Sequence, residues 1–242
     1  GIEHSHGDYI IFVDGDDWIE DGCLVKFDRI IGETGVDIIE TTLIEAYEDR
    51  VFIRDQDIED FFKDKYTLSN LLEWKLHQSY NTWPSVKMIY SRAFIENNHL
   101  SFLKGRLHED IAWTSNVIKR VQNYTICPFA WYYHRMKRNN SITNNIKAKN
   151  ITDVIEMAAN IYSTKTDSII EKEIFKRIMV SVYVKIKQMS QCSKEDQKIV
   201  IQCIRANMPI FNIAPSLKYK VFVLCMKLFG IEKAVRLLKS VT

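Results

Sequence analysis

The fold is decided by the segment Asp8-Tyr9-Ile10-Ile11-Phe12-Val13-Asp14-Gly15-Asp16-Asp17-Trp18. Its apolar run, residues 9–13, predicts a buried strand that ends abruptly in three carboxylates, Asp14, Asp16 and Asp17. Acids at the end of a buried strand lie at the carboxyl edge of a sheet, where open α/β folds bind ligands. Carboxylates this close repel one another unless a hard cation such as Mg²⁺ or Mn²⁺ lies between them and a phosphate. The segment therefore indicates a divalent metal that holds a diphosphate.

Two other interpretations of these acids stay open. Asp is favoured in turns, so the cluster is also typical of a turn that caps a helix. A calcium-binding loop is the second alternative, but Trp18 stands where that motif requires Asp or Asn.

Charge is distributed unevenly along the 242 residues, although the net charge is only +2. Residues 1–149 hold 18 Lys and Arg against 23 Asp and Glu, whereas residues 150–242 hold 15 against 8. This break predicts a boundary between an α/β domain, residues 1–145, and an all-helical domain, residues 146–242.

Five cysteines, an odd number too dispersed for a zinc site, indicate reduced thiols. No stretch is long and apolar enough to span a membrane. We therefore expect a cytoplasmic protein, and we expect no nucleic-acid partner.

Apolar periodicity predicts the elements of both domains. In residues 1–145 we expect a strand at 9–13, a helix capped by Asp21 and ended by Gly32 and Gly35, strands at 36–46 and 51–53, a short helix within 55–64, a helix from Thr67 or Ser69, an extended segment at 81–90, a short helix from Ser91, a helix at 107–121, and β-rich runs at 124–127 and 129–133. Beyond them we expect helices near 147–163, 167–190, 194–207, 216–229 and 231–240, with caps at Asp167 and Ser193.

A second candidate site is His108-Glu109-Asp110, at the start of an apolar helix. Helix starts favour acids electrostatically, so capping alone explains their presence. In a cleft, however, one of these carboxylates would deprotonate a hydroxyl nucleophile.

A third candidate is the strand end Trp131-Tyr132-Tyr133-His134-Arg135, followed by a polar loop with Arg138. Arginine grips phosphate oxygens through two hydrogen bonds, and His134 suits a metal ligand. A single His at a strand end is more often structural.

Trp83 and Lys87 are weaker candidates, because a Trp is usually buried in the core.

The last 27 residues, 216–242, carry six Lys and Arg and one acid, with apolar residues at helical spacing. This composition fits helices that lie on an anionic membrane face, and it equally fits a solvated basic helix packed on its own domain.

In their order along the chain, three motifs resemble those of the inverting nucleotide-sugar glycosyltransferases of family 2, which have the GT-A fold. They are the Asp-x-Asp segment within Gly7–Asp17, the Glu-Asp motif in His108–Ile111 after Phe102, and the closing segment Tyr132–Arg135 with Asn140–Ile142. The resemblance covers about residues 1–145. It implies a GT-A-like mixed sheet with flanking helices.

The resemblance also implies site residues. It assigns the nucleotide-diphosphate sugar to Asp14, Asp17, Arg135 and Arg138, the divalent metal (Mn²⁺ or Mg²⁺) to Asp16 and His134, the general base to Asp110 with Glu109 as alternate, and the acceptor side to Trp83, Lys87 and His108. The metal would neutralise the leaving nucleoside diphosphate while the base takes the acceptor's proton. One direct displacement then inverts the sugar configuration.

Family members begin with strand–helix units that bind the nucleotide base, including an Asp-Asp-Gly-Ser segment, and nothing similar precedes Gly1. We therefore expect a truncated GT-A domain that is inactive alone. The acceptor is expected to be a glycan or a lipid-linked sugar, as in cell-surface polysaccharide synthesis.

Two competing functions remain. A metal-dependent phosphohydrolase or nucleotidyltransferase would use the same acids, but a two-metal site needs further converging carboxylates. A non-catalytic module would use the helical half to bind a membrane or a partner protein.

Overall fold

A mixed β-sheet forms the core of the N-terminal part of the chain. The structure is a computed structural model that describes residues 1–53, 67–77, 82–136, 146–166 and 168–240. Within these ranges the strands are β1 (Tyr9–Ile11), β2 (Trp18–Ile19), β3 (Ile38–Ala46), β4 (Val51–Ile53), β5 (Met88–Ser91) and β6 (Tyr124–Arg135). Their order is β1-β5-β3-β6-β2, and β4 pairs with β3. Strands β3 and β6 run parallel, and the other pairs are antiparallel.

Strand β3 is buried along all nine of its residues. Because a strand covered on both faces leaves no side chain in water, its polar groups need internal partners. The Thr41 hydroxyl donates to the carbonyl of Lys87 (2.7 Å) and accepts from the indole Nε1 of Trp131 (2.7 Å). The strand predicted at 36–46 is thus confirmed as the centre of the sheet.

The opening strand is shorter and less buried than predicted. Strand β1 ends at Ile11, only Ile10 in it is buried, and Val13 is 46% exposed. The reason is its place at the end of the sheet, where it pairs with β5 alone. The ring of Phe12 instead packs among aromatic rings, 5.3 Å from that of Trp113.

Among the described residues, four helices lie between the strands in sequence: α1 (Cys23–Thr34), α2 (Leu68–His77), α3 (Arg92–Asn97) and α4 (Asp110–Arg120). The predicted cap of α1 by Asp21 is wrong. Gly22 precedes the helix in a left-handed conformation (φ 73°), and no side chain caps it. Gly35, also left-handed, ends α1 as predicted. The predicted cap of α3 is confirmed, since the hydroxyl of Ser91 accepts from the N–H of Phe94.

Helix α4 begins three residues later than predicted, at Asp110. His108 has a φ of 61°, which is left-handed, so the helix cannot extend back through it.

The two β-rich runs predicted near 124–127 and 129–133 form one strand, β6. Pro128 between them has no N–H for the ladder, and the register against β3 shifts between Thr41 and Leu43. The segment predicted as extended at 81–90 is extended only from Met88, because Ser85–Lys87 form a 3₁₀ turn.

The remaining chain is helical, as predicted. Its helices are α5 (Ala148–Thr164), α6 (Ile169–Gln188), α7 (Lys194–Ala206), α8 (Leu217–Phe229) and α9 (Ile231–Ser240). Helix α6 buries Ile174, Ile178, Val182 and Ile186, four residues apart, so its apolar stripe faces the helical core. The hydroxyl of Ser193 accepts from the N–H of Asp196 and caps α7, which confirms that prediction.

The chain divides into two compact units. The first comprises Gly1–Phe102 and Trp113–Asn139, and the second comprises Leu103–Ala112 and Asn140–Thr242. A single boundary near residue 145 stays a prediction, and it would not account for Leu103–Ala112. In the described parts of both units, no helix is both long and apolar enough to cross a membrane. The helix expected within 55–64, the cap at Asp167 and the loop 138–145 lie outside the described residues.

Candidate functional site

The three clustered acids, Asp14, Asp16 and Asp17, lie in a tight turn between β1 and β2. The N–H of Asp17 donates to the carbonyl of Asp14 (3.0 Å), which closes the segment Asp14–Asp17, called here the acid turn. Asp14 is exposed, and Asp16 and Asp17 are partly exposed. Asp14 and Asp16 are therefore at a part of the surface that a ligand can reach.

The end of β6 holds the acid turn in place. The hydroxyl of Tyr132 accepts from the N–H of Asp14 (3.0 Å) and donates to Oδ2 of Asp17 (2.7 Å). The other carboxylate oxygen of Asp17 accepts from the N–H of Arg135 (2.9 Å). Burial, together with the charges of Asp17 and Asp14, raises the pKa of Tyr132, so its hydroxyl remains a donor. Both oxygens of Asp17 therefore anchor the turn.

Aromatic stacking adds to this anchor. The ring of Trp18 lies on that of Tyr133, with centroids 5.1 Å apart, and the guanidinium of Arg135 lies 5.2 Å from the Trp18 ring. The Nε of Arg135 donates to the carbonyl of Asp16 (3.0 Å). Tyr133 donates to a carboxylate oxygen of Glu20 (2.5 Å). Arg135 is thus in contact with the acid turn, and its predicted role in binding the diphosphate stays a prediction.

The metal prediction names Asp16 and His134. Successive side chains of a strand alternate between its faces, which puts the exposed His134 on the face of Tyr132. The described residues contain no group of three or more His, Cys, Asp or Glu that could hold a metal ion. At nucleotide sites, Mg²⁺ needs only one or two carboxylates, since phosphates and waters complete its shell. The carboxylates of Asp14 and Asp16 fit that requirement.

Glu109 and Asp110 lie in the second unit, at the N-terminus of α4, where the N–H of Ile111 donates to the carbonyl of His108 (3.1 Å). Burial, with a smaller effect of Lys185, lowers the pKa of His108 to about 4. Its Nε2 is buried without a hydrogen-bond partner. At neutral pH this side chain is therefore uncharged.

The structure places Lys87 in the core of the first unit, not at an acceptor site. Its ammonium is fully buried and lies 3.5 Å from Oε1 of Glu40, the oxygen that also accepts from Lys75 (2.8 Å). The hydroxyl of Tyr124 donates to the other oxygen, Oε2. An ammonium without exposed surface cannot contact an acceptor from solution, so we withdraw the acceptor role predicted for Lys87. Trp83 is partly buried, and its carbonyl accepts from the hydroxyl of Thr114 (2.6 Å).

Sequence reasoning missed the roles of Tyr132 and Trp18 in holding the acid turn. Both residues lie in candidate segments that the sequence analysis chose for other residues, namely the acids and His134 with Arg135. Spacing along the chain could not reveal their contacts, because Tyr132 and Asp17 are 115 residues apart. Arg138, predicted to bind the diphosphate, lies outside the described residues.

The chain is similar in sequence to known glycosyltransferases. A family model described as glycosyl transferase family 2 matches residues 1–96. The putative glycosyltransferase EpsH of Bacillus subtilis (strain 168) is 28% identical over 172 residues, which cover 68% of this chain and 46% of that protein. The chain thus spans less than half the length of this curated relative.

Solved structures of S. aureus TarS share the fold. TarS 1–349 in complex with UDP-GlcNAc matches with a TM-score of 0.70 at 17% identity, covering 99% of this chain and 68% of that one. A second TarS structure has a TM-score of 0.68 at 14% identity, covering 99% and 41%. The predicted GT-A-like fold is confirmed. The chain is thus similar to glycosyltransferase family 2 in sequence over residues 1–96, and it shares the fold of TarS over almost its whole length.

Proposed function

We propose that the protein transfers a sugar from a nucleoside diphosphate sugar to an acceptor hydroxyl, with inversion at the anomeric carbon. The observation that carries this proposal is the acid turn, in which Asp17 is fixed by β6 while the carboxylates of Asp14 and Asp16 are accessible. The match of residues 1–96 to the family 2 glycosyltransferase model supports it independently. Because TarS was solved with UDP-GlcNAc, a UDP-sugar is the donor to test first.

On the donor side, Asp14 and Asp16 would hold a divalent metal, Mn²⁺ or Mg²⁺, with His134 nearby as a further ligand. When bound, such a metal supplies Lewis-acid neutralisation of the leaving diphosphate. Arg135 would add a cation whose position is set by Trp18 and by the carbonyl of Asp16. Asp17 keeps the turn in shape.

On the acceptor side, Asp110 would accept the proton of the attacking hydroxyl, with Glu109 as the alternate base. The N-terminus of α4 favours the ionised carboxylate that this role needs. Trp83 and the uncharged His108 are each a candidate for binding the acceptor. We propose a glycan or lipid-linked acceptor of the cell surface, from the similarity to the family alone.

The test is product analysis with a panel of UDP-sugars, glycan acceptors and Mn²⁺, with and without EDTA. We expect metal-dependent formation of a glycosidic bond of inverted configuration, and we expect Asp16→Ala to abolish metal-dependent nucleotide binding. Asp28→Asn, a change at an exposed position of α1 outside the acid turn, is the control. Release of phosphate or pyrophosphate without sugar transfer would instead support a phosphohydrolase or nucleotidyltransferase.

The C-terminal helix α8 supports a further part of the proposal, peripheral contact with an anionic membrane. Its residues Leu217, Val221, Leu224 and Leu228 recur every three or four positions and are each 52% to 75% exposed. The opposite face buries Phe222, Val223 and Met226.

Lysines flank this exposed apolar stripe on both sides: Lys218 on one, Lys220 and Lys227 on the other, with no acid anywhere in α8. An apolar stripe bordered by lysines complements acyl chains and anionic headgroups, and each lysine near such a surface contributes about 1 kcal/mol.

We expect the protein to sediment with phosphatidylglycerol-containing vesicles and not with pure phosphatidylcholine. The variant Leu224→Asp should weaken this binding about tenfold or more, because it removes apolar burial and adds repulsion. Ile199→Asp on α7 is a matched control, since Ile199 is 47% exposed but has no apolar stripe around it. Equal binding by both variants would contradict the proposal. Loss of a dimer in Leu224→Asp would show that the stripe pairs two copies.

A further inference from the structure

One nearly buried carboxylate holds the segment that precedes the candidate base. Asp153 on α5 is 3% exposed. Its Oδ2 accepts from the N–H of Leu107 (2.8 Å) and from Nζ of Lys149 (2.7 Å), and its Oδ1 accepts from Nη1 of Arg106 (3.0 Å). Lys149 also donates to the carbonyl of Gly105 (2.8 Å). We call these four interactions the Asp153 cluster.

The cluster is ionic. Burial alone would raise the pKa of Asp153, but hydrogen bonds from Lys149, from the N–H of Leu107 and from Arg106 lower it overall. The carboxylate is therefore charged at neutral pH, and hydrogen bonds to a charged acceptor are stronger than those between neutral groups.

The segment held by this cluster has an unfavourable backbone. Gly105 (φ 72°) and His108 (φ 61°) are both left-handed, and a left-handed residue other than glycine persists only where its surroundings impose it. Helix α4 begins two residues after His108, so the direction in which Glu109 and Asp110 leave the segment depends on this backbone. The contacts of Asp153 supply the required restraint.

We propose that Asp153 is a positioning residue, which fixes the Gly105–His108 backbone and thereby sets the orientation of the Glu109–Asp110 pair that begins α4. This inference rests on the proposed function, because it takes that pair to contain the base. Catalysis is sensitive to such orientation, and a misplacement of about 1 Å can lower a rate about 100-fold.

The test compares Asp153→Asn with Asp196→Asn in the complete natural protein. Asp196 is a matched control in the same unit, since it accepts from the N–H of Ala148 (3.0 Å) and from the hydroxyl of Ser193 (2.8 Å) without touching residues 105–110. We would measure kcat and KM for the UDP-sugar, thermal stability, and amide hydrogen exchange of residues 103–112.

For Asp153→Asn we expect kcat to fall about 10- to 100-fold, with the donor KM within about twofold, and faster exchange in residues 103–112. Asp196→Asn should lose stability without either change. Lys149→Met, at a half-exposed position, should give an intermediate loss of kcat, and it serves if Asp153→Asn fails to fold.

Two results for Asp153→Asn would overturn this inference but leave the proposed function intact. The first is unchanged amide exchange in residues 103–112. The second is a fall in kcat no larger than that of Asp196→Asn, when the two variants lose the same stability. Absence of sugar transfer and of donor hydrolysis in the unsubstituted protein would overturn the proposed function, and this inference with it.

Discussion

The variant Asp110→Asn is expected to lower kcat for sugar transfer by about 10²- to 10⁴-fold while leaving the affinity for UDP unchanged. This is the range that a general base contributes when it takes a proton in the transition state. Asparagine has nearly the same shape and can still accept hydrogen bonds at the start of α4, but it cannot accept the proton of the acceptor hydroxyl. Single-turnover transfer rates and calorimetric UDP binding would measure the two quantities separately.

The neighbouring carboxylate provides the control. Glu109→Gln makes the same chemical change one residue earlier, and we expect a loss of less than about tenfold if Asp110 is the base. A larger loss of kcat in Glu109→Gln than in Asp110→Asn would identify Glu109 as the base. Full turnover in both variants would remove the pair from the mechanism.

The largest expected effect on stability comes from the buried ion cluster of the first unit. Replacing Glu40 by glutamine should lower the free energy of unfolding by about 3–5 kcal/mol, because it removes the buried carboxylate that pairs with the buried ammoniums of Lys75 and Lys87. For a chain of this length the melting temperature should fall by about 10 °C. Thermal and urea unfolding would measure both values.

Glu96→Gln is the matched control, because Glu96 lies 3.8 Å from Arg92 on the surface and is 62% exposed. We expect it to change stability by less than about 0.5 kcal/mol. Adding Lys75→Met and Lys87→Met to Glu40→Gln should recover much of the loss, since buried charges replaced together are often tolerated. No recovery would show that the cluster contributes through its hydrogen bonds and not through its charges.

The same cluster predicts how acid affects the first unit. Burial alone would raise the pKa of Glu40, but Lys75 and Lys87 lower it below its usual 4.5. As pH falls, the unfolded state therefore takes up the proton first. The stabilisation from Glu40 is fully present above about pH 4.5, and it is lost as the pH falls through the lower pKa of the folded state.

Much of the fold was predictable because it follows from local periodicity. The C-terminal helices were located within a few residues, since their apolar residues recur at helical spacing. Strand β3 was predicted, but its complete burial was not, because Glu40 and Glu45 interrupt the apolar pattern. Only their tertiary partners make those positions compatible with a core.

The site was predictable in part, for a similar reason. Clustered acids such as Asp14, Asp16 and Asp17 are visible in the sequence because they are adjacent. The groups that hold them, Tyr132 and the N–H of Arg135, lie more than 100 residues away, and strand pairing alone brings them near. Lys87 was misjudged because a lysine gives no sign in sequence that a buried carboxylate will pair with it.

The stack of Trp18 on Tyr133 has a practical consequence for spectroscopy. Of the five tryptophans, Trp18 is 41% exposed, whereas Trp74, Trp113 and Trp131 are buried and Trp83 is partly buried. A water-borne quencher such as acrylamide should therefore report chiefly on the indole adjoining the acid turn. Its fluorescence offers a label-free optical signal for nucleotide titrations, before any acceptor is known.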